Sequence, residues 1–147
     1  MNIRIRPCRS EDLEAVLNLQ KTWVQEDITI GMGADSLEDL SNQLNHYFYV
    51  VEKDGRLVGY GHGRVHEADN MAVFEDQEKY FELEDLYLVS GERQRGLGSL
   101  LLSEIMDRVK ADGVERFLLY SSTKNLKPLI NFYEGHGFKT WHVKMYL

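Results

Sequence analysis

Cysteine occurs once, at Cys8, so no internal disulfide can form and no zinc site of cysteine spacing exists. Cys8 follows Pro7 and reads as a small packing residue, with a nucleophile as the alternative. Proline is almost as scarce, with two in 147 residues, and no Pro-, Ser- or Gly-rich linker divides the chain. No apolar run approaches the ~18 residues that span a bilayer, so no membrane association is expected. Residues 1–9 hold no apolar stretch of the signal-peptide kind, and the cytoplasm is the expected location. Positive charge is also short: 17 Lys and Arg face 24 Asp and Glu, a formal net charge of −7. That balance argues against nucleic-acid binding, which needs a basic face. It suits a cationic substrate, or it only keeps the protein soluble.

What is present fits one packed domain over residues 1–147, with 43% hydrophobic and 28% charged residues. Residues 2–6 alternate Ile3 and Ile5 with polar neighbours, the pattern of a strand. Ser10 offers an N-cap for a helix to about Gln25, carrying Leu13, Val16, Leu17 and Val24 at helical spacing. Ser36 with Asp39 can open a short helix through Leu44. Residues 47–51 and 57–65 read as strands joined at Asp54-Gly55, a hairpin signal because a type I′ turn needs two positive φ angles. Gly59, Gly61 and Gly63 alternate along the second strand and suggest close approach of a backbone or ligand. A polar, acidic loop follows over 66–79, then a long strand over 81–89. Residues 96–112 form a helix ended by Gly113, and 117–120 a buried strand. Pro128 sits in the first turn of a helix ending near Gly135, and 137–147 alternates Trp141, Val143, Met145 and Leu147 like a final strand or strands. The element order is that of an α/β (α+β) sheet with helices on its faces.

The stretch that carries chemistry is 84–102: a strand, a turn, the run Arg93-Gln94-Arg95-Gly96-Leu97-Gly98-Ser99, and a helix. Glycines there let the backbone come close to a bulky phosphate, and the first N–H groups of the helix have no intrahelical partner. Arg93 and Arg95 add positive charge. The pattern is neither a Gly-x-x-x-x-Gly-Lys-Ser/Thr loop nor Gly-x-Gly-x-x-Gly. A diphosphate-bearing ligand outside those two classes is left, and coenzyme A carries such a group.

These residues resemble the GNAT superfamily of N-acetyltransferases. Its Arg/Gln-x-x-Gly-x-Gly/Ala pattern after a strand stands here as Arg93-x-x-Gly96-x-Gly98, and an aromatic-Tyr pair followed by Gly-Phe stands as Phe132-Tyr133-Glu134-Gly135-His136-Gly137-Phe138. The run from Leu83 through Glu84, Asp85, Leu86, Tyr87 and Leu88 to Arg93 is similar to the diamine acetyltransferase branch. The resemblance implies a mixed central sheet of six to seven strands, mostly antiparallel, flanked by about four helices. It implies acetyl-CoA as co-substrate, no metal, and direct transfer of acetyl to an amine. Backbone N–H groups from Gln94 to Ser99 would hold the pyrophosphate, with Arg93, Arg95, Gly96, Leu97 and Gly98 in the same turn. The strand backbone at Leu86, Tyr87 and Leu88 would meet the acetyl carbonyl and pantetheine arm. Tyr133 would protonate the departing thiolate, since a phenol keeps a transferable proton at neutral pH. The family's Asn seven residues before the Tyr falls on Leu126, so Asn125, one position away, is the candidate pantetheine contact.

An alkyl amine has a pKa near 10.4, so a base must take a proton before attack. Glu84, matching the strand glutamate of the diamine branch, is the first candidate, and Glu82, two residues earlier on the same face, is the second; the alternative is that both line a solvated face. Residues 67–85 hold eight acidic side chains against one Lys, Lys79, which could draw in a cationic acceptor or be only a solvated segment. The expected partner is a small-molecule amine. A protein acceptor, a non-catalytic acyl-CoA-binding module and a homodimer are the alternatives and additions carried forward.

Overall fold

A computed structural model describes residues 2–147. The elements run β1 (Ile3–Pro7), α1 (Leu13–Glu26), α2 (Leu37–Gln43), β2 (Tyr49–Lys53), β3 (Arg56–Glu67), β4 (Lys79–Leu88), α3 (Leu97–Ala111), β5 (Arg116–Leu119) and α4 (Leu126–Glu134). Short 3-10 turns stand at Ser10–Asp12 and Ser90–Glu92. The strands form one sheet in chain order, antiparallel from β1 to β4, with β5 parallel to β4.

Local chemistry explains most of the boundaries. Ser36 and Asp39 make a reciprocal capping box at α2, each side chain accepting the other's backbone N–H at 3.1 Å. Asp54 and Gly55 both take positive φ, 50° and 82°, as the β2–β3 hairpin requires. Gly113, at φ 87°, ends α3. The start of α1 differs from expectation. Ser10 opens a 3-10 turn, and it is Asp12 that accepts the Arg9 N–H at 2.8 Å while also holding the Arg6 guanidinium at 2.8 Å. A buried pair with Arg6 outcompetes a simple serine cap.

The sheet has five strands, not six or seven. Residues 139–147 form no strand, and Trp141, Val143 and Met145 remain exposed. Alternation gives a segment two faces, but a strand exists only where a neighbour supplies hydrogen bonds, and among the described residues nothing pairs with that segment. The four helices agree with the expectation.

Each face of the sheet has its own core. On one, Leu97, Leu101, Leu102, Ile105 and Val109 of α3 pack over Val51, Phe81 and Leu83. On the other, Leu13, Val16 and Leu19 of α1 and Leu40 of α2 pack over Phe48, Val50, Tyr60 and Tyr87. Burial of these apolar stripes is the main term holding helices to sheet. Among the described residues, no helix is long and apolar enough to cross a membrane.

The glycines of β3 prove to serve packing. A Cβ on Gly61 would lie 2.9 Å from both Ile105 Cδ1 and Leu86 Cδ1, and one on Gly63 would lie 2.1 Å from the Glu82 carbonyl oxygen. The close approach is by α3 and by the neighbouring strand, not by a ligand. Gly61→Ala meets movable side-chain ends and should cost about 1–3 kcal/mol, as overpacking does. Gly63→Ala meets backbone that cannot yield without opening the β3–β4 ladder, so its loss of stability in urea unfolding should exceed that of Gly61→Ala.

Candidate active site

The site begins with an irregularity between β3 and β4. His62 pairs with Asp85, but the next residue, Gly63, pairs with Leu83, so Glu84 is an extra residue in β4. Such a bulge breaks the alternation of side chains. Glu84 and Asp85, adjacent in sequence, therefore both reach His62 on the α1–α2 face, with Glu84 Oε2 3.5 Å from Nδ1 and Asp85 Oδ2 3.4 Å from Nε2.

A second feature lies on the other edge of β4. Its parallel pairing with β5 ends at Leu83 and Leu119. Beyond that point the two strands part and leave a cleft of about 530 Å³. Glu84, Leu86, Tyr87 and Leu88 line one side, and Ser122, Asn125 and Tyr133 the other. The segment 28–32 roofs it. Ile30 N–H donates to the Ser122 carbonyl at 2.9 Å, Lys124 N–H donates to the Ile28 carbonyl at 2.8 Å, and Thr29 bridges Thr123.

The phosphate-type turn adjoins this cleft. Gln94 and Gly96 both have positive φ, 63° and 80°, and no side chain caps the N-terminus of α3. Its first N–H groups are free to meet an anion, aided by the helix dipole. Gln94, Gly96, Gly98 and Ser99 border a hollow of about 350 Å³ shared with Leu86, Leu88 and Phe132. Arg95 is half exposed and only 3.9 Å from Glu92, so it can turn toward a phosphate. Arg93 is committed elsewhere. It donates to both Glu26 oxygens at 2.9 and 2.8 Å and to the Leu88 carbonyl at 2.9 Å, while the Tyr87 hydroxyl donates to the same Glu26. Arg93 thus ties the end of α1 to the end of β4 and shapes the cleft rather than offering free charge.

Tyr133, on α4, is packed between Phe132 and Phe138, with ring centroids at 5.0 and 5.5 Å. Burial pushes its phenol above the ordinary tyrosine value, so it stays protonated across the neutral range. Glu84 reaches the cleft; Glu82 does not line it and sits opposite Arg64. His66, Glu82 and Glu84 bring ligand atoms within 4.8 Å of one another, with Arg64 Nε 3.7 Å from Glu84 as the cation already there. Cys8 is buried in the core of the α1–α2 face and lines neither the cleft nor the hollow, and burial pushes its thiol up to about 12. A thiol so disfavoured as thiolate is no nucleophile at neutral pH.

Three groups the sequence reading passed over complete the site. Asp85 accepts from the Tyr60 hydroxyl at 2.7 Å and from Gln20 Nε2 at 3.4 Å, and Gln20 links on to Asp35 at 2.9 Å. Burial pushes the Asp85 carboxyl up, but His62, Tyr60 and Gln20 outweigh it and hold it below the usual carboxylate range. His62 is 2% exposed, and Glu26 anchors Arg93. The Gly-His-Gly run 61–63 was the one local hint, since a histidine between packed glycines in a strand must face inward or outward as a single side chain.

Comparison with known proteins places the chain in a family and shows the same fold elsewhere. Residues 13–138 match the family described as Acetyltransferase (GNAT) family. A mycothiol acetyltransferase from Frankia casuarinae is 31% identical over 97 residues, 64% of this chain but 27% of that protein, so the chain spans about a quarter of that relative's length. Among solved structures, a predicted acetyltransferase from Clostridium acetobutylicum with acetyl-CoA superposes with a TM-score of 0.75 at 13% identity, covering 99% of this chain and 96% of that one. The aminoglycoside N-acetyltransferase AAC(6')-Iy with CoA gives 0.78 at 18% identity, covering 99% and 93%. With a five-stranded mixed sheet that parts beside a glycine turn, and a family match over most of its length, the chain belongs to the acetyltransferase (GNAT) family.

Proposed function

We propose that this acetyl-CoA-dependent acetyltransferase acts on the amine of a small cationic molecule, by direct transfer within the cleft between β4 and β5. The observation that carries the reading is that Glu84 and Tyr133 face one cleft from opposite walls, next to a turn built for an anion. Acetyl-CoA supplies the acyl group and a thiolate leaving group. Backbone N–H groups from Gln94 to Ser99 hold its pyrophosphate, Arg95 adds charge, and the unpaired β5-facing edge of β4 at Leu86, Tyr87 and Leu88 aligns the pantetheine arm, with Asn125 opposite. Glu84 takes a proton from the ammonium. The neutral nitrogen attacks the carbonyl, and Tyr133 gives its proton to the departing sulfur. No covalent enzyme intermediate is used, because Cys8 is buried and disfavoured as thiolate.

The roof formed by 28–32 over 121–124 supports a small acceptor, since a protein lysine would need an open approach. Charge near the reacting centre comes from Glu84 and Asp85 rather than from the loop before β4. Glu78, at the loop's end, is six residues from Glu84, about 20 Å of extended strand and well beyond the ~8 Å screening length at physiological salt. Glu78 is also paired with Arg116 at 3.0 Å.

The test is thiol release from acetyl-CoA with a panel of amines, amino acids and lysine peptides. Diamines and similar cations should be turned over best, with KM rising with ionic strength while CoA affinity changes little. Preference for a peptide would favour the protein-acceptor reading, and CoA binding with no turnover of any amine would favour a binding module. For residues 139–147, whose alternating pattern has no partner here, we propose a second copy of the chain as the occupant, giving a homodimer in the cytoplasm. A single mass equal to one chain by light scattering, at all concentrations, would exclude it.

A further inference from the structure

We infer that His62 is the positioning residue behind Glu84: it receives the proton that Glu84 takes from the acceptor, and the imidazolium so formed then fixes the re-ionised carboxylate. This rests on the reading of Glu84 as base. His62 is fully enclosed, with its ring stacked on Phe48, just ahead of β2, at 4.6 Å and on Tyr60, its neighbour on β3, at 6.1 Å. Neither ring nitrogen has a hydrogen bond of good geometry, yet each faces a carboxylate oxygen of β4: Nδ1 faces Glu84 at 3.5 Å and Nε2 faces Asp85 at 3.4 Å. A histidine with only a packing role would be expected to satisfy a backbone carbonyl. This one is aimed at two acids that both line the cleft, the Glu84 side chain the more exposed of the two.

Counting protons gives the consequence. Ionised carboxylates only accept, and a neutral imidazole has one N–H. Asp85 is held ionised and already gathers Tyr60 and Gln20 as donors, so the His62 proton belongs on Nε2, facing it. The Nδ1 lone pair then faces Glu84 with no proton between them. That gap accepts one more. When the ammonium N–H bond breaks, an O–H bond forms on Glu84. The proton then passes to Nδ1, leaving Glu84 ionised again and an imidazolium between two carboxylates, and it returns to water after product leaves. The arrangement follows the logic of an acid-histidine pair, in which a buried carboxylate fixes the tautomer and stabilises the imidazolium.

The other groups facing this pair are few. Arg64, on β3, stands 3.7 Å from the second Glu84 oxygen; His66 of β3 and Glu82 of β4 bring ligand atoms within 4.8 Å of Glu84; Tyr60 and Gln20 donate to Asp85; and Asp35, ahead of α2, is reached through Gln20. The bulge makes the arrangement available, because regular alternation would have sent Glu84 and Asp85 to opposite faces.

The experiment has two arms. In the first, kcat/KM for the best amine is measured against pH for wild type and His62→Gln, with His62→Asn as a shape control. His62→Gln should lose about 10²-fold, near the lower end of general-base contributions, and its acid limb should move, while KM for acetyl-CoA stays within about twofold. An active His62→Gln whose pH profile superposes on wild type overturns the inference. In the second arm, the ring nitrogens of His62 are followed by NMR against pH in wild type and in Glu84→Gln, without substrate. The His62 titration should be displaced when the Glu84 charge is removed, and an unchanged titration overturns the coupling. This arm decides even where the His62 variants fail to fold. If the wild type turns over no amine, the proposed function fails, and the NMR arm still reports separately whether His62 and Glu84 share a proton.

Discussion

Tyr133→Phe should lower kcat by about 10²- to 10⁴-fold, the usual contribution of a general acid, while CoA affinity stays nearly constant. Phe keeps the ring that packs against Phe132 and Phe138, so the fold and the cleft wall survive and only the proton is lost. Burial raises the Tyr133 phenol above its ordinary value near 10. The protonated form needed by the departing thiolate is therefore complete at neutral pH and is lost only as pH rises through that raised value. A basic limb assigned to Tyr133 should accordingly lie above about pH 10. Pre-steady-state thiol release separates the chemical step from product loss. A Phe variant with unchanged single-turnover rate would remove Tyr133 from the mechanism.

Gly96→Val should weaken CoA binding by about ten- to a hundredfold while the helix and sheet remain. Gly96 has φ 80°, where a β-branched residue is strained, and a Cβ there would meet no protein atom within 4 Å. The strain therefore has to be relieved by rotating the turn, and the new side chain stands in the unfilled hollow where phosphate would lie. Losing one charge-assisted N–H bond to an anion costs about 1.5–3 kcal/mol, and 1.4 kcal/mol is tenfold in affinity. Gly98 makes the contrast. A Cβ there would sit 3.6 Å from Leu88 and Phe132, an ordinary contact, so Gly98→Ala should bind CoA close to the wild-type level. Calorimetric titration of CoA into both variants decides. A folded Gly96→Val with wild-type affinity would move the cofactor away from the 93–99 turn.

Tyr133 and Gly96 are legible in the sequence, and their neighbours show where legibility stops. Arg93 was read as free charge for phosphate because it stands in the turn. Its partner Glu26 lies 67 residues away, and nothing local could announce that pairing. Glu82 and Glu84 looked equivalent, as any two residues spaced by two in a strand do. Pairing with β5 still covers Glu82, opposite Leu118, and ends at Leu83, so Glu84 reaches the cleft where the strands part and Glu82 stays between Arg64 and β5. Residues 137–147 have the alternation of a strand and form none, since pairing depends on a neighbour rather than on the pattern.

The sequence by itself determined the helices and the cap of α2, the Asp54-Gly55 hairpin, the glycine turn ahead of α3 and the Phe-Tyr pair of α4. Those are set by interactions spanning a few residues, where dihedral preference, capping and apolar period act directly. Only the tertiary structure decided which carboxylate meets the cleft, that Arg93 is bound to α1, that the β3 glycines serve α3 and β4, and that His62 lies between Glu84 and Asp85. The reason is that a bulge, a parting of strands and a buried ion pair each arise from long-range register and packing. A shift of one residue in pairing reverses which face a side chain occupies, and that shift leaves no mark on local propensity.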